Sequence, residues 1–182
     1  MSRIKFVDIN SAPEKSKPNL QALNAKLGSI PNIFKAMANS PAALGVYVSI
    51  TGALNDSTLS AQTREAMALA IAEHNGCEYC LSAHTLIGSK SGLSDTDIES
   101  AREWSSKDAK TAAILKLTKT LLKSGGQVSD TDFAAAKKAG ITDGEFADVC
   151  AVIALNVMTN YFNIMSQNEV DFPKVEPKKK AA

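Results

Sequence analysis

Two cysteines three residues apart, with a histidine four residues after the second, form the segment of this 182-residue chain best suited to chemistry: Cys77-Glu-Tyr-Cys80-Leu-Ser-Ala-His84. On an α-helix advancing ~100° per residue, Cys77, Cys80 and His84 share an arc of about 60°. Cysteines so spaced at a helix start can reach the ~4.4–6.8 Å Cα separation that a disulfide needs. The pair follows Asn75-Gly76, which puts it at a helix N-terminus, where the positive end of the dipole favours a thiolate. An imidazole one turn beyond Cys80 can take its proton, directly or through water. The pattern points to a redox-active dithiol. Structural zinc usually draws ligands from a loop or from two segments, whereas all three candidates lie here on one helix. A c-type haem needs histidine directly after the second cysteine, where Leu81 stands. The simplest alternative is a pair of inert, buried cysteines.

The preceding helix supplies a carboxylate. Around the helical wheel, Glu65 has Ala61, Ala68, Leu69 and Ala72 as its nearest neighbours and stands alone on an apolar stripe. A carboxylate placed there is expected to lose hydration unless a partner stabilises it. The competing reading is an Arg64–Glu65 surface pair. Because Ala66 to Ala72 is apolar on every side, this helix is expected to be central, which favours burial. Glu73, about 80° round the wheel, is a weaker candidate of the same kind.

Positioning these groups falls to a succession of helices. Residues 1–19 are polar and punctuated by Pro13 and Pro18, and read as an extended arm. A helix begins at Leu20 and stops at Gly28. Pro31 opens Ile33, Phe34 and Met37. Ser40-Pro41 caps a third helix to about Leu54, with proline at N1, where its missing N–H costs nothing. A fourth helix is expected from about Ser60 to Asn75 and a fifth from Cys77 to about Ser89. Leu93-Ser-Asp-Thr-Asp-Ile98, Val128-Ser-Asp-Thr-Asp-Phe133 and Thr142-Asp-Gly-Glu145 each carry capping-box spacing. Between the first two, Ala109 to Leu122 repeats apolar residues and ends at Gly125-Gly126. The only alternating stretch is Lys5 to Asp8, so the fold class is all-α.

Composition narrows the rest. Twenty Lys+Arg against 19 Asp+Glu leave a net charge of +1, with no basic face for nucleic acid. Aromatic residues make up only 5%, too few for a base-stacking platform. Lys178–Lys180 reads as a solvated tail. Val149–Val157 is too short to span a bilayer, and the N-terminus lacks the apolar run of a secretory leader. Three cysteines disfavour a secreted disulfide framework, so a cytoplasmic setting is expected. Cys150, among Val149, Ile153 and Ala154, reads as inert core; His74 as a helix-end residue; Trp104 as a loop anchor. Asn156, Asn160 and Asn163 share one face of the last helix and read as a hydrogen-bonded stripe at a packed or subunit interface.

Arg64-Glu65, followed by Asn75-Gly-Cys77-Glu-Tyr-Cys80 and His84, resembles the AhpD-like branch of the carboxymuconolactone decarboxylase superfamily. Leu27-Gly-Ser-Ile-Pro-Asn-Ile-Phe34, Ser40-Pro41 and the closing Glu169-Val-Asp171-Phe-Pro173 share the resemblance, which spans roughly residues 20–173. It implies an AhpD-like helical bundle as a single domain over 20–173 with a basic tail at 174–182, assembled as a homo-oligomer, hexamer or trimer. It also implies a thiol-dependent peroxidase acting on a small hydroperoxide, recycled by a thiol reductant, with no organic cofactor, metal, nucleic-acid or membrane partner. Carried over by motif position, Cys80 is the attacking cysteine, Cys77 the resolving one, His84 the base and Glu65 the far end of the proton relay. Tyr79 joins the candidate site where the best-characterised members carry histidine; it can hydrogen-bond there but is a poor proton shuttle near neutral pH. The alternatives are a redox-sensing or structural oligomer without turnover, and a lactone decarboxylase, an activity that does not need the cysteine pair.

Overall fold

The computed structural model describes residues 2–178. Among these there are nine α-helices and no strand: α1 Lys17–Leu27, α2 Asn32–Met37, α3 Pro41–Ala53, α4 Ala61–Asn75, α5 Glu78–Lys90, α6 Asp95–Arg102, α7 Ala109–Ser124, α8 Asp130–Lys138 and α9 Asp143–Ser166. Local chemistry sets most of the starts. Ser40 Oγ accepts the Ala43 N–H at 3.2 Å, Ser60 Oγ that of Thr63 at 3.1 Å, and the Asp108 carboxylate that of Thr111 at 2.7 Å. Ser94 with Asp97, and Thr142 with Glu145, close complete capping boxes. At α8 the Ser129 hydroxyl caps the Asp132 N–H but donates to the Asp132 carboxylate, which replaces the return bond of a box.

α4 is the central helix, packing against α5, α6, α7 and α9. Met67, Leu69, Ala70, Ile71 and Ala72 are fully buried, and the alanines let neighbouring backbones approach closely. At its end Gly76 takes φ 69°, a conformation costly for any residue with a Cβ. The chain thus reverses within two residues and delivers Cys77 to the start of α5.

Several expectations change at the ends of the chain. α1 starts at Lys17, three residues earlier than expected, because a 3-10 turn over Glu14–Ser16 leads into it and Pro18 fits its first turn. The arm before it is tied to the body: Val7 is buried and its N–H meets the Lys35 carbonyl at 3.1 Å. Lys5 to Asp8, the alternating stretch, forms no strand. The tail is not simply solvated either. The Val175 N–H meets Ser82 Oγ at 2.9 Å, the Lys178 N–H meets Glu73 Oε1 at 2.7 Å, and the Lys178 ammonium pairs with Glu99 and Glu103. Lys179 and Lys180 lie outside the described residues.

α9 also differs from expectation. The apolar core Val149–Val157 is part of a 24-residue helix that is long and apolar enough, by length and composition alone, to cross a membrane. It packs against α3, α4, α5 and α7, and three asparagines lie on its buried side. Cys150 is exposed, not core. The buried line runs through Val149, Val152 and Asn156, and Cys150, a hundred degrees from Val149, faces outward.

Glu145 links the α9 cap to α7. Its carboxylate accepts the Thr142 N–H at 2.8 Å and meets Lys110 Nζ at 2.7 Å. Burial pushes this carboxyl up, but the Lys110 and Thr142 contacts outweigh it and hold the group below its ordinary 4.5. A carboxyl lower in the folded than the unfolded state stabilises above its unfolded value, and that stability is lost as pH falls through the folded one. Glu145→Gln is expected to cost about 1 kcal/mol at pH 7. The gap to the native protein should close as pH falls below 4.5, which urea titrations at several pH values measure.

Candidate active site

Cys77 is the N-cap of α5, and its Sγ accepts the backbone N–H of Cys80 at 3.2 Å. This turn brings the Cα atoms of Cys77 and Cys80 to 5.3 Å, and the two are joined as a disulfide. Both are deeply buried, 1% and 3% exposed. The Cys80 N–H thus points at the Cys77 sulfur, and the helix start favours negative charge there once the bond is reduced.

His84 lies one turn after Cys80 on α5. Its Nδ1 is 2.8 Å from Glu65 Oε2 on α4, and both side chains are about one-fifth exposed, 22% and 17%. A carboxylate on Nδ1 orients the imidazole and leaves Nε2 as the proton acceptor. Among the described residues no hydrogen bond joins His84 to the Cys80 sulfur, so a proton passing between them needs a bridging water or a side-chain movement. Arg64 turns instead to the Leu59 carbonyl. Glu65 therefore belongs to the histidine, not to a surface pair.

The remaining candidates are placed elsewhere. Tyr79 directs its hydroxyl away from the sulfurs, donating to Asp171 Oδ1 at 2.7 Å and accepting the Ile33 N–H at 3.1 Å, while Phe172 packs edge-on against its ring. Burial pushes its phenol well above the ordinary value. Tyr79 joins α2 and the C-terminal segment to α5. Glu73 is held by Arg102 at 2.8 Å in a buried pair. His74 is exposed at the end of α4 and meets Trp104 edge-on; partial burial, then Lys123 and Lys119, push its pKa down. Among the described residues no group of three His, Cys, Asp or Glu side chains converges as metal ligands.

The asparagine stripe enters the site. The Asn163 Nδ2 donates to Cys80 Sγ at 3.3 Å. Asn160 accepts from Asn75 at 3.0 Å, while its own Nδ2 is buried without a hydrogen-bond partner among the described residues. Asn156 donates to the Val152 carbonyl. Three amides at helical spacing on an apolar helix were the signal for this; which of them reaches sulfur is a matter of packing. A cavity of about 540 Å³ lies apart from the disulfide, lined by Thr63, Ala66, Asp97, Thr111, Ile114 and Glu145. The dithiol and its histidine carry the recognisable chemistry; the cavity does not.

Residues 41–123, which hold Glu65, both cysteines and His84, match the carboxymuconolactone decarboxylase family. That stretch of the chain is similar to the family. No curated protein matches the chain in sequence. Its fold is AhpD-like. A peroxidase-related protein of Ralstonia eutropha JMP134, an alkylhydroperoxidase AhpD core, superposes with a TM-score of 0.84 at 22% identity over 93% of this chain and 92% of that one. A peroxidase-related protein from Silicibacter sp. TM1040 gives 0.80 at 21% identity, covering 92% and 91%. The debrominase Bmp8, in complex with 2,3,4-tribromopyrrole, gives 0.75 at 16% identity over 92% and 91%. At these identities the likeness is one of fold.

Proposed function

We propose that this chain is a member of the carboxymuconolactone decarboxylase family and a thiol-dependent peroxidase that reduces hydrogen peroxide or an organic hydroperoxide. The Cys80 thiolate attacks one peroxide oxygen. An S–O bond forms, the O–O bond breaks, and Cys80 becomes a sulfenic acid while the other oxygen leaves as water or alcohol. The proton lost by the thiol passes to His84, whose imidazolium is stabilised by Glu65, and from there to the leaving oxygen. The Cys77 thiol then attacks the Cys80 sulfur, the S–S bond forms and water departs. A thiol reductant restores the dithiol, which suits a reducing compartment such as the cytoplasm.

The observation that carries this reading is the disulfide at the start of α5 with a carboxylate-held histidine one turn further on. Assembly as a trimer or hexamer belongs to the same reading. α9 presents Tyr161, Ile164 and Met165 to solvent, and Val46 and Ile87 are exposed on α3 and α5, apolar surface that an oligomer would cover. The depth of the sulfurs favours a second reading, a dithiol that oxidises once as a sensor. Peroxide consumption with dithiothreitol separates the two. The native chain is expected to consume many equivalents and Cys80→Ser none above background, whereas a single equivalent identifies a sensor.

A further inference from the structure

A thiolate at 3% exposure is expensive unless something other than water solvates it. His84 can remove the proton, but it makes no hydrogen bond to the sulfur. Among the described residues, the one side-chain donor on Cys80 Sγ is the Asn163 Nδ2, at 3.3 Å. Asn163 is itself 4% exposed, and its orientation is set by its neighbours. Its carbonyl oxygen accepts the Asn168 Nδ2–H at 2.8 Å, which leaves its NH₂ to face the sulfur. The Asn168 carbonyl in turn accepts the Ser2 hydroxyl at 3.0 Å. With Asn168 donating to its carbonyl oxygen, the Asn163 amide turns its NH₂ to Cys80, and the Ser2 hydroxyl, which also faces the Ile4 and Ser166 carbonyls, continues the chain outward.

We propose that Asn163 is a further catalytic residue, the hydrogen-bond donor that holds the reduced Cys80 sulfur as an anion, and that Asn168 positions it. The inference rests on Cys80 being the attacking thiol. It divides the work inside the site: His84 and Glu65 move the proton, and Asn163 replaces the water that the buried anion lacks. A donor to a charged group in a dry site is worth more than an ordinary hydrogen bond. The relay also ties reactivity to the N-terminal arm, since Ser2 closes its outer end.

The test is the pH dependence of iodoacetamide alkylation of Cys80, in the Cys77→Ser protein under reducing conditions. Reading the Cys80 peptide by mass spectrometry keeps the exposed Cys150 out of the signal. Asn163→Leu is expected to raise the pH midpoint by about one unit, and so to slow the reaction with hydrogen peroxide at pH 7 about tenfold. Asn168→Leu, which leaves the donor in place but frees it to turn, should give a smaller rise in the same direction. If Asn163→Leu does not fold by circular dichroism, Asn168→Leu carries the test. An unchanged midpoint in a folded variant overturns the proposal, whatever the peroxide rate. If the midpoint moves as expected but the Cys77→Ser protein ignores peroxide, the donor stands and the peroxidase reading fails.

Discussion

Cys77→Ser is expected to yield a trappable sulfenic acid with one equivalent of peroxide, and Cys80→Ser to yield none on the same timescale. The two sulfurs share a helix start but not an environment. Cys77 caps α5 and accepts the Cys80 N–H, so the dipole favours its thiolate. Cys80 also lies one turn before His84, whose Nδ1 is held by Glu65, and it receives the Asn163 amide. Among the described residues, only Cys80 of the two receives a side-chain donor, and it is the one a single turn from the histidine. Serine at position 77 is itself a favoured N-cap, so the helix start survives and the new sulfenic acid, lacking its resolving thiol, persists long enough for a dimedone-type probe. The opposite outcome, a sulfenic acid in Cys80→Ser alone, would mean that the helix-start effect outweighs the histidine and that the roles are exchanged. Failure of both variants, together with stoichiometric zinc binding by the native chain, would replace the dithiol with a metal site.

Glu65→Gln is expected to slow peroxide-driven disulfide formation tenfold or more while leaving the melting temperature close to native. Glutamine can still accept from His84 Nδ1, so the imidazole keeps its orientation. It loses the negative charge that offsets the imidazolium formed when the Cys80 proton arrives. The substitution therefore isolates the electrostatic part of the relay, within the roughly 10²–10⁴-fold reach of general acid–base catalysis. The side chain is only 17% exposed, so solvent screens little of that charge. Stopped-flow rates across pH 6 to 9 measure the effect, with light scattering to check that assembly is unchanged. Identical profiles for the two proteins would assign the His84–Glu65 pair a purely structural role.

What the linear chain determined by itself is whatever depends on neighbours within about one helical turn. Ser40, Ser60, Ser94 and Thr142 cap their helices because the hydroxyl and the N–H it accepts lie three residues apart. The Cys77–Cys80–His84 arc follows from helix periodicity, and the central position of α4 from apolar residues on all its sides. Contacts across the fold lay beyond that range. Glu65 had an expected burial but no partner until α4 packed on α5 and set it against His84, 19 residues on. Tyr79, spaced as though to serve the sulfurs, is turned to Asp171, 92 residues away. Cys150 looked like core from its apolar neighbours, yet a helix buries one side, and only the packed partners of α9 decide which. Asn163 reaches Cys80 across 83 residues. Periodicity places such a side chain on a face; the identity of the atom opposite it is set by how the helices dock, because a hydrogen bond needs its partner within about 3 Å and no local rule of the chain supplies that distance.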